Sequence, residues 1–146
     1  MKLTRYTDYA LRVLLYLGAS DDRRCSIGEI ARGYRISENH LMKVVQDLGR
    51  MGLVATSRGR GGGIRLARPP EEIRVGDVVR RTETDMDLAD CEGCVISPVC
   101  GLVGVFDEAV MAFMAVLDRY TIADLLARRG DMLRLLGALT PAEAVL

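Results

Sequence analysis

Cys91, Cys94 and Cys100 fall within ten residues, in the run DCEGCVISPVCGL, of a 146-residue chain that has only one other cysteine, Cys25. Thiolates this close together can grip a metal centre or be oxidised in pairs, and both uses need the deprotonated sulfur. The C-x2-C-x5-C spacing lets Cys91 and Cys94 share one centre, and Pro98 keeps the approach to Cys100 out of regular helix. A structural zinc ion takes a closed set of four nitrogen or sulfur ligands, and only one CxxC pair is present. A disulfide switch between Cys91 and Cys94 leaves Cys100 without a role. An iron-sulfur cluster held by three thiolates and a weaker fourth ligand fits the count best, while the zinc and thiol readings stay open.

The rest of the chain must position this stretch. Its length fits one ordinary domain, or a small domain with an appended dimerising segment, and 49% apolar residues suffice for a core. No apolar run approaches the roughly 18 residues of a membrane span, and the start MKLTRYTDYALRVLL lacks a signal-peptide pattern. A cytoplasmic protein with no membrane association is expected. In a reducing compartment a tight cysteine cluster points to metal or redox chemistry more than to a disulfide framework, and Cys25 reads as a small buried hydrophobe. The net charge of zero hides an asymmetry: residues 1–68 hold 13 Lys and Arg against 6 Asp and Glu, and residues 69–146 hold 7 against 14. The basic front half is the one that would seek a polyanion.

That half has a recognisable plan. Residues 7–19 form a helix candidate apolar on most faces, opened by Thr7 or Asp8. Ser26 and Glu29 fit a capping box that starts a short helix to about Gly33, residues 34–36 make a turn, and Ser37 caps a second helix. In the latter, Leu41, Val44, Val45 and Leu48 recur at helical spacing, leaving Asn39, His40 and Lys43 largely outside the apolar face. Two strand-like runs, 53–57 and 64–67, follow, joined by the RGRGGG of residues 58–63. Singly, these are an ordinary three-helix unit and an ordinary flexible hairpin loop. In this order, on the basic half, they read as a winged helix for double-stranded DNA. Ser37, Asn39, His40 and Lys43 would address the major groove, and Arg58 and Arg60 would reach phosphates or the minor groove.

The back half reads differently. Pro69-Pro70 mark a linker, residues 75–83 a short helix, and an acidic loop leads into the cysteines. Beyond them Val103, Phe106, Val110, Phe113, Leu117 and Tyr120 step by three and four, the seam of a helix of about twenty residues, roughly 30 Å long. It is expected to dimerise the protein, the alternative being packing against residues 123–139. The expected organisation is a winged helix-turn-helix domain at 1–70, a linker helix and cysteine-rich loop at 71–101, and a dimerisation helix with C-terminal helices at 102–146. The fold class is mainly α with a small β-hairpin.

The runs TRYTDYALR, ISENHLMKVVQDLGRMGLVATSRGRGGGIRLARP, IRVGDVVRRTE, CVISPVCGL and LDRYTIADL resemble, in order and over nearly the whole chain, the NsrR family of nitric-oxide-sensing repressors. That family stands with the IscR-type iron-sulfur regulators in one superfamily of dimeric winged-helix transcription factors. The resemblance implies a homodimer with one cluster per subunit, bound to operators of nitric-oxide-detoxification genes and released when nitric oxide attacks the cluster. It also implies that the fourth cluster ligand is Asp8 of the partner subunit, a residue that otherwise reads as a plain helix-start acid. A carboxylate among soft thiolates should be the easiest ligand to displace. One departure is plain: related sequences usually have a longer interval between the first two cysteines, where here only Glu92 and Gly93 intervene. A 4Fe-4S cluster is favoured and 2Fe-2S remains compatible. IscR-type proteins show a histidine shortly after the third cysteine, and the run GLVGVFDEA has none.

An enzyme is not expected, because no nucleophile-base constellation appears and GRGGG lacks the Lys-Ser/Thr of a phosphate-cradling loop. The competing functions are an electron-carrying iron-sulfur protein and a same-fold regulator that senses redox state or iron status, or that works through zinc or thiols.

Overall fold

The structure, a computed structural model, describes residues 1–138; residues 139–146, the end of the segment assigned to 102–146, lie outside the described residues. The first helix, α1 (Arg5–Ala19), is capped by Thr4 and not by Thr7 or Asp8. The Thr4 hydroxyl accepts the Thr7 N–H at 3.3 Å, whereas Thr7 itself turns inward and is fully buried. Asp8 sits in the first turn, where its charge suits the helix dipole. Ala10, Val13, Leu14 and Leu17 make this helix the centre of the core.

Next, α2 (Ile27–Tyr34) begins with a complete capping box: the Ser26 hydroxyl accepts the Glu29 N–H at 3.0 Å, and the Glu29 carboxylate accepts the Ser26 N–H at 2.8 Å. It ends at Arg35, held in the left-handed region at φ 57°, which turns the chain sharply toward Ser37. Ser37 caps α3 (Glu38–Arg50) by accepting the His40 N–H at 3.4 Å, and Leu41, Val44, Val45 and Leu48 are buried as their spacing requires. The hairpin pairs β1 (Val54–Ser57) with β2 (Gly63–Leu66), Val54 opposite Leu66 and Ser57 opposite Gly63. Cys25 adds a backbone bridge to Ile64 with bonds of 2.8 and 2.7 Å, so this wholly buried thiol sits at the foot of the hairpin.

The back half wraps this unit. A 3-10 turn at Pro70–Glu72 leads to α4 (Val75–Thr82), which packs between α1 and α5 (Leu102–Asp118). At 17 residues, α5 is shorter than its sequence pattern suggests, and Tyr120 falls beyond its end. Its seam divides. Val110 and Leu117, with buried Met114, pack on Val75 and Val79 of α4, while Phe113 and Tyr120 stay 39% and 44% exposed. The alternative packing of this helix, on residues 123–139, is not what the described part of that segment does: the turn at Ala123–Leu126 and α6 (Arg129–Leu135) pack on α1, with Ile122 fully buried. The cause is the Val75 N–H donating to the Tyr120 carbonyl at 2.9 Å and an Arg74–Thr121 bridge, which direct the chain back across α1. Among the described residues no helix is long and apolar enough to cross a membrane.

Candidate nucleic-acid interface and cysteine loop

The N-terminal turns of α3 bring Ser37, Asn39, His40 and Lys43 together, all exposed. The Ser37 hydroxyl accepts the capping bond and keeps its own proton free to donate. On the same outward side stand Met42, 52% exposed, Gln46 and Arg50, which continue the stripe of Asn39 and Lys43 at steps of three and four. Sequence reading missed these three, although the same period that locates the buried face locates this one.

The hairpin tip carries Arg58 and Arg60, both exposed and, among the described residues, without an ion-pair partner. The tip is compact because glycine allows it: a Cβ on Gly62 would lie 2.5 Å from the Ser57 carbonyl and 2.7 Å from that of Gly59. The Arg24 guanidinium also donates to the Gly61 carbonyl at 3.1 Å, adding charge beside the tip.

A polar strut ties α1 to α3. The Tyr6 hydroxyl donates to the Asp47 carboxylate, which also pairs with Arg50 at 3.2 Å. Burial first, then the bond to Asp47, pushes the Tyr6 hydroxyl up to about 12 from its ordinary 10.0.

The three cysteines lie in the loop between α4 and α5, which is a series of turns. The Gly93 N–H donates to the Asp90 carboxylate at 3.0 Å, the Cys94 N–H to the Cys91 carbonyl at 3.2 Å, and the Cys100 N–H to the Ser97 carbonyl at 3.4 Å, closing a 3-10 turn through Pro98. Cys91 and Cys100 are half-buried and Cys94 is exposed, all as free thiols. Burial pushes the Cys91 thiol up, and the neighbouring Cys100 and Cys94 push it further. Among the described residues no three His, Cys, Asp or Glu side chains form a group that could hold a metal ion. Asp8 stands on α1 with its carboxylate, 45% exposed, accepting two bonds of 2.9 Å from Arg12. The Arg12 guanidinium lies 5.9 Å over the Tyr9 ring and 5.6 Å over that of Tyr34. Thus the structure gathers the cysteines on one loop and the candidate DNA-binding residues on one helix end and one hairpin tip, and keeps Asp8 apart on α1.

A helix-turn-helix with an exposed polar recognition face, followed by a basic hairpin, defines a winged-helix DNA-binding regulator. Residues 3–128 match the model of the Rrf2 family, described as an iron-dependent transcriptional regulator, and the chain belongs to that family. It is 54% identical to the HTH-type transcriptional regulator NsrR of Bacillus subtilis, with 93% of this chain and 97% of the relative covered, which bears out the resemblance read from the sequence. Among solved structures, a putative transcriptional regulator from Listeria innocua superposes with a TM-score of 0.75 at 29% identity, covering 88% of each chain. The oxidized form of Staphylococcus aureus CymR does so at 0.71 and 26% identity, covering 87% of this chain and 97% of that one. The chain is a DNA-binding transcriptional regulator of mainly helical winged fold, and not an enzyme.

Proposed function

We propose that the chain is a homodimeric repressor of nitric-oxide-detoxification genes. It holds one iron-sulfur cluster per subunit on Cys91, Cys94 and Cys100, completed by Asp8 of the partner subunit. The observation that carries this reading is the loop between α4 and α5, where Cys91, Cys94 and Cys100 sit as free thiols on consecutive turns that close just before α5. The donor set fits an iron-sulfur cluster in kind: soft thiolates on one loop, and a half-exposed carboxylate that can serve a neighbouring subunit. The Rrf2 match spans both Asp8 and the cysteine loop, and the family description is iron-dependent. A 4Fe-4S form is favoured, with 2Fe-2S compatible. When bound, the cluster supplies iron that reacts with nitric oxide.

The chain's own residues then relay the change. Asp8 lies two residues after Tyr6, whose hydroxyl bonds Asp47 of α3, so a displacement at the start of α1 is felt on the recognition helix. Ser37, Asn39, His40 and Lys43 face the major groove of the operator, and Arg58 and Arg60 hold its backbone or minor groove.

Anaerobic titration with nitric oxide, following cluster absorbance and operator affinity in one sample, tests the reading. Both should fall together, and cluster loss at constant affinity would place sensing elsewhere. Asp8→Ala should leave a folded dimer whose cluster is labile or spectrally altered. An unchanged spectrum and nitric-oxide response remove Asp8 from the site. A second reading, a thiol- or zinc-based regulator of the same fold, is favoured by the exposure of Cys94 and by the likeness to CymR in its oxidized form. Anaerobically purified protein with stoichiometric zinc, and neither iron nor acid-labile sulfide, selects that reading over the cluster.

A further inference from the structure

Between the start of α1, the outer side of α3 and the end of α4 runs a shallow groove of ≈ 520 Å³ whose walls include Tyr6, Lys43, Asp47, Arg50 and Arg81. We infer that this groove binds a phosphate of the DNA backbone, with Arg81 of α4 as the contact lying outside the helix-turn-helix and the wing. The inference rests on the DNA-binding reading and extends its footprint.

Three cations face one carboxylate there, and that carboxylate is already engaged: Asp47 accepts the Tyr6 hydroxyl and pairs with Arg50 at 3.2 Å. Lys43 and Arg81 have no carboxylate within ion-pair distance among the described residues. The nearest acid in sequence, Glu83, is drawn away by the cap of α1, accepting the Thr4 N–H at 2.6 Å and its hydroxyl at 2.9 Å. The groove therefore keeps an uncompensated positive charge.

Arg81 is also held in place. One of its N–H groups donates to the Met51 carbonyl at 3.2 Å, at the C-terminal end of α3, while the side chain stays exposed with further donors free. A guanidinium anchored by one edge has less freedom to lose when it meets a phosphate. Its location matches the partner. Asn39, Lys43, Gln46 and Arg50 form one outward stripe on α3, so the groove continues the base-reading end toward the later turns of the helix. Residues of those later turns are placed to touch backbone, which fixes how the reading end enters the groove. Because α4 also carries the cysteine loop, the same helix links that loop to a DNA contact.

The test uses the full-length protein, purified anaerobically, and a mixed-sequence duplex of about 30 base pairs, long enough for two half-sites one helical turn apart. The slope of log affinity against log salt concentration is measured for the natural protein, Arg81→Gln and Arg81→Lys. Glutamine retains a donor for the Met51 carbonyl but not the charge, and lysine retains the charge. Arg81→Gln removes one phosphate contact per subunit and should flatten the slope of the dimer by about two, and Arg81→Lys should keep most of it. A folded Arg81→Gln dimer with the slope of the natural protein overturns the inference and leaves the DNA reading intact. An Arg81→Lys slope as shallow as that of Arg81→Gln overturns it too, since the charge at this position would then not set the slope. Absence of salt-dependent duplex binding in the natural protein would remove the DNA reading and this contact with it.

Discussion

Tyr6 shows how one side chain reports on the fold. Its hydroxyl joins α1 to α3 through Asp47, and its proton is held up to about 12, by burial first and by that bond second. An unfolded tyrosine releases its proton near 10.0. Between those values the unfolded chain has lost a proton that the native one retains, so stability falls as pH rises through the window and is intact below it. Tyr34, also raised to about 12 mainly by burial, adds a second such contribution. Tyr6→Phe should therefore make the alkaline loss of stability shallower, while costing about 1–3 kcal/mol at neutral pH through the bond to a charged acceptor. Urea unfolding of both proteins at neutral pH and across that window checks this; an alkaline loss equal to that of the natural protein would mean Tyr6 does not titrate there. No sequence signal pairs Tyr6 with Asp47, forty-one positions apart. At the start of α1 the reading of Asp8 as a first-turn acid holds, whereas a cap at Thr7 fails for a related reason, since Thr7 is buried and Thr4 takes the cap.

Where two elements meet, a local rule can be reversed by a neighbour. Gly76 lies inside α4, where alanine is favoured by about 1 kcal/mol on helix propensity alone. A Cβ there would stand 1.9 Å from a carboxylate oxygen of Asp118 and 3.1 Å from the Asp118 backbone nitrogen, at the end of α5. That carboxylate accepts two bonds from Arg80, of 2.6 and 2.5 Å, so it cannot swing away without breaking the tie between the helices. Gly76→Ala should thus destabilise the protein, by about 1–3 kcal/mol as an overpacking change. Thermal unfolding reads the sign, and a stabilised variant would show that α4 and α5 are not this close. The capping box at Ser26, the cap at Ser37 and the hairpin, to within one residue at each strand end, were legible because each depends on residues within a few positions.

At the scale of the molecule, α5 has more apolar surface than the described residues cover. Beyond the stripe on α4, Val105 and Val116 are 57% and 46% exposed, with Leu102 and Phe113 on the same side. A second copy seated on this face, as the proposed homodimer requires, would present two recognition helices to two half-sites. Val105→Glu combined with Val116→Glu should give a folded monomer by analytical ultracentrifugation, with weakened operator binding. A dimer that survives both changes would locate the interface elsewhere.

The winged-helix plan, its buried faces, the polar N-terminal end of α3, the basic tip and the cysteine run were all determined by the amino-acid sequence, because helical and strand periods, caps and glycine turns are local. Tertiary structure alone decided which stripe of α5 meets α4, that residues 121–138 return to α1, and that Arg81 stands beside Lys43 and Arg50. Those outcomes depend on surfaces far apart in the chain competing for the same neighbours, and periodicity says that a face is apolar or charged without saying what it will touch.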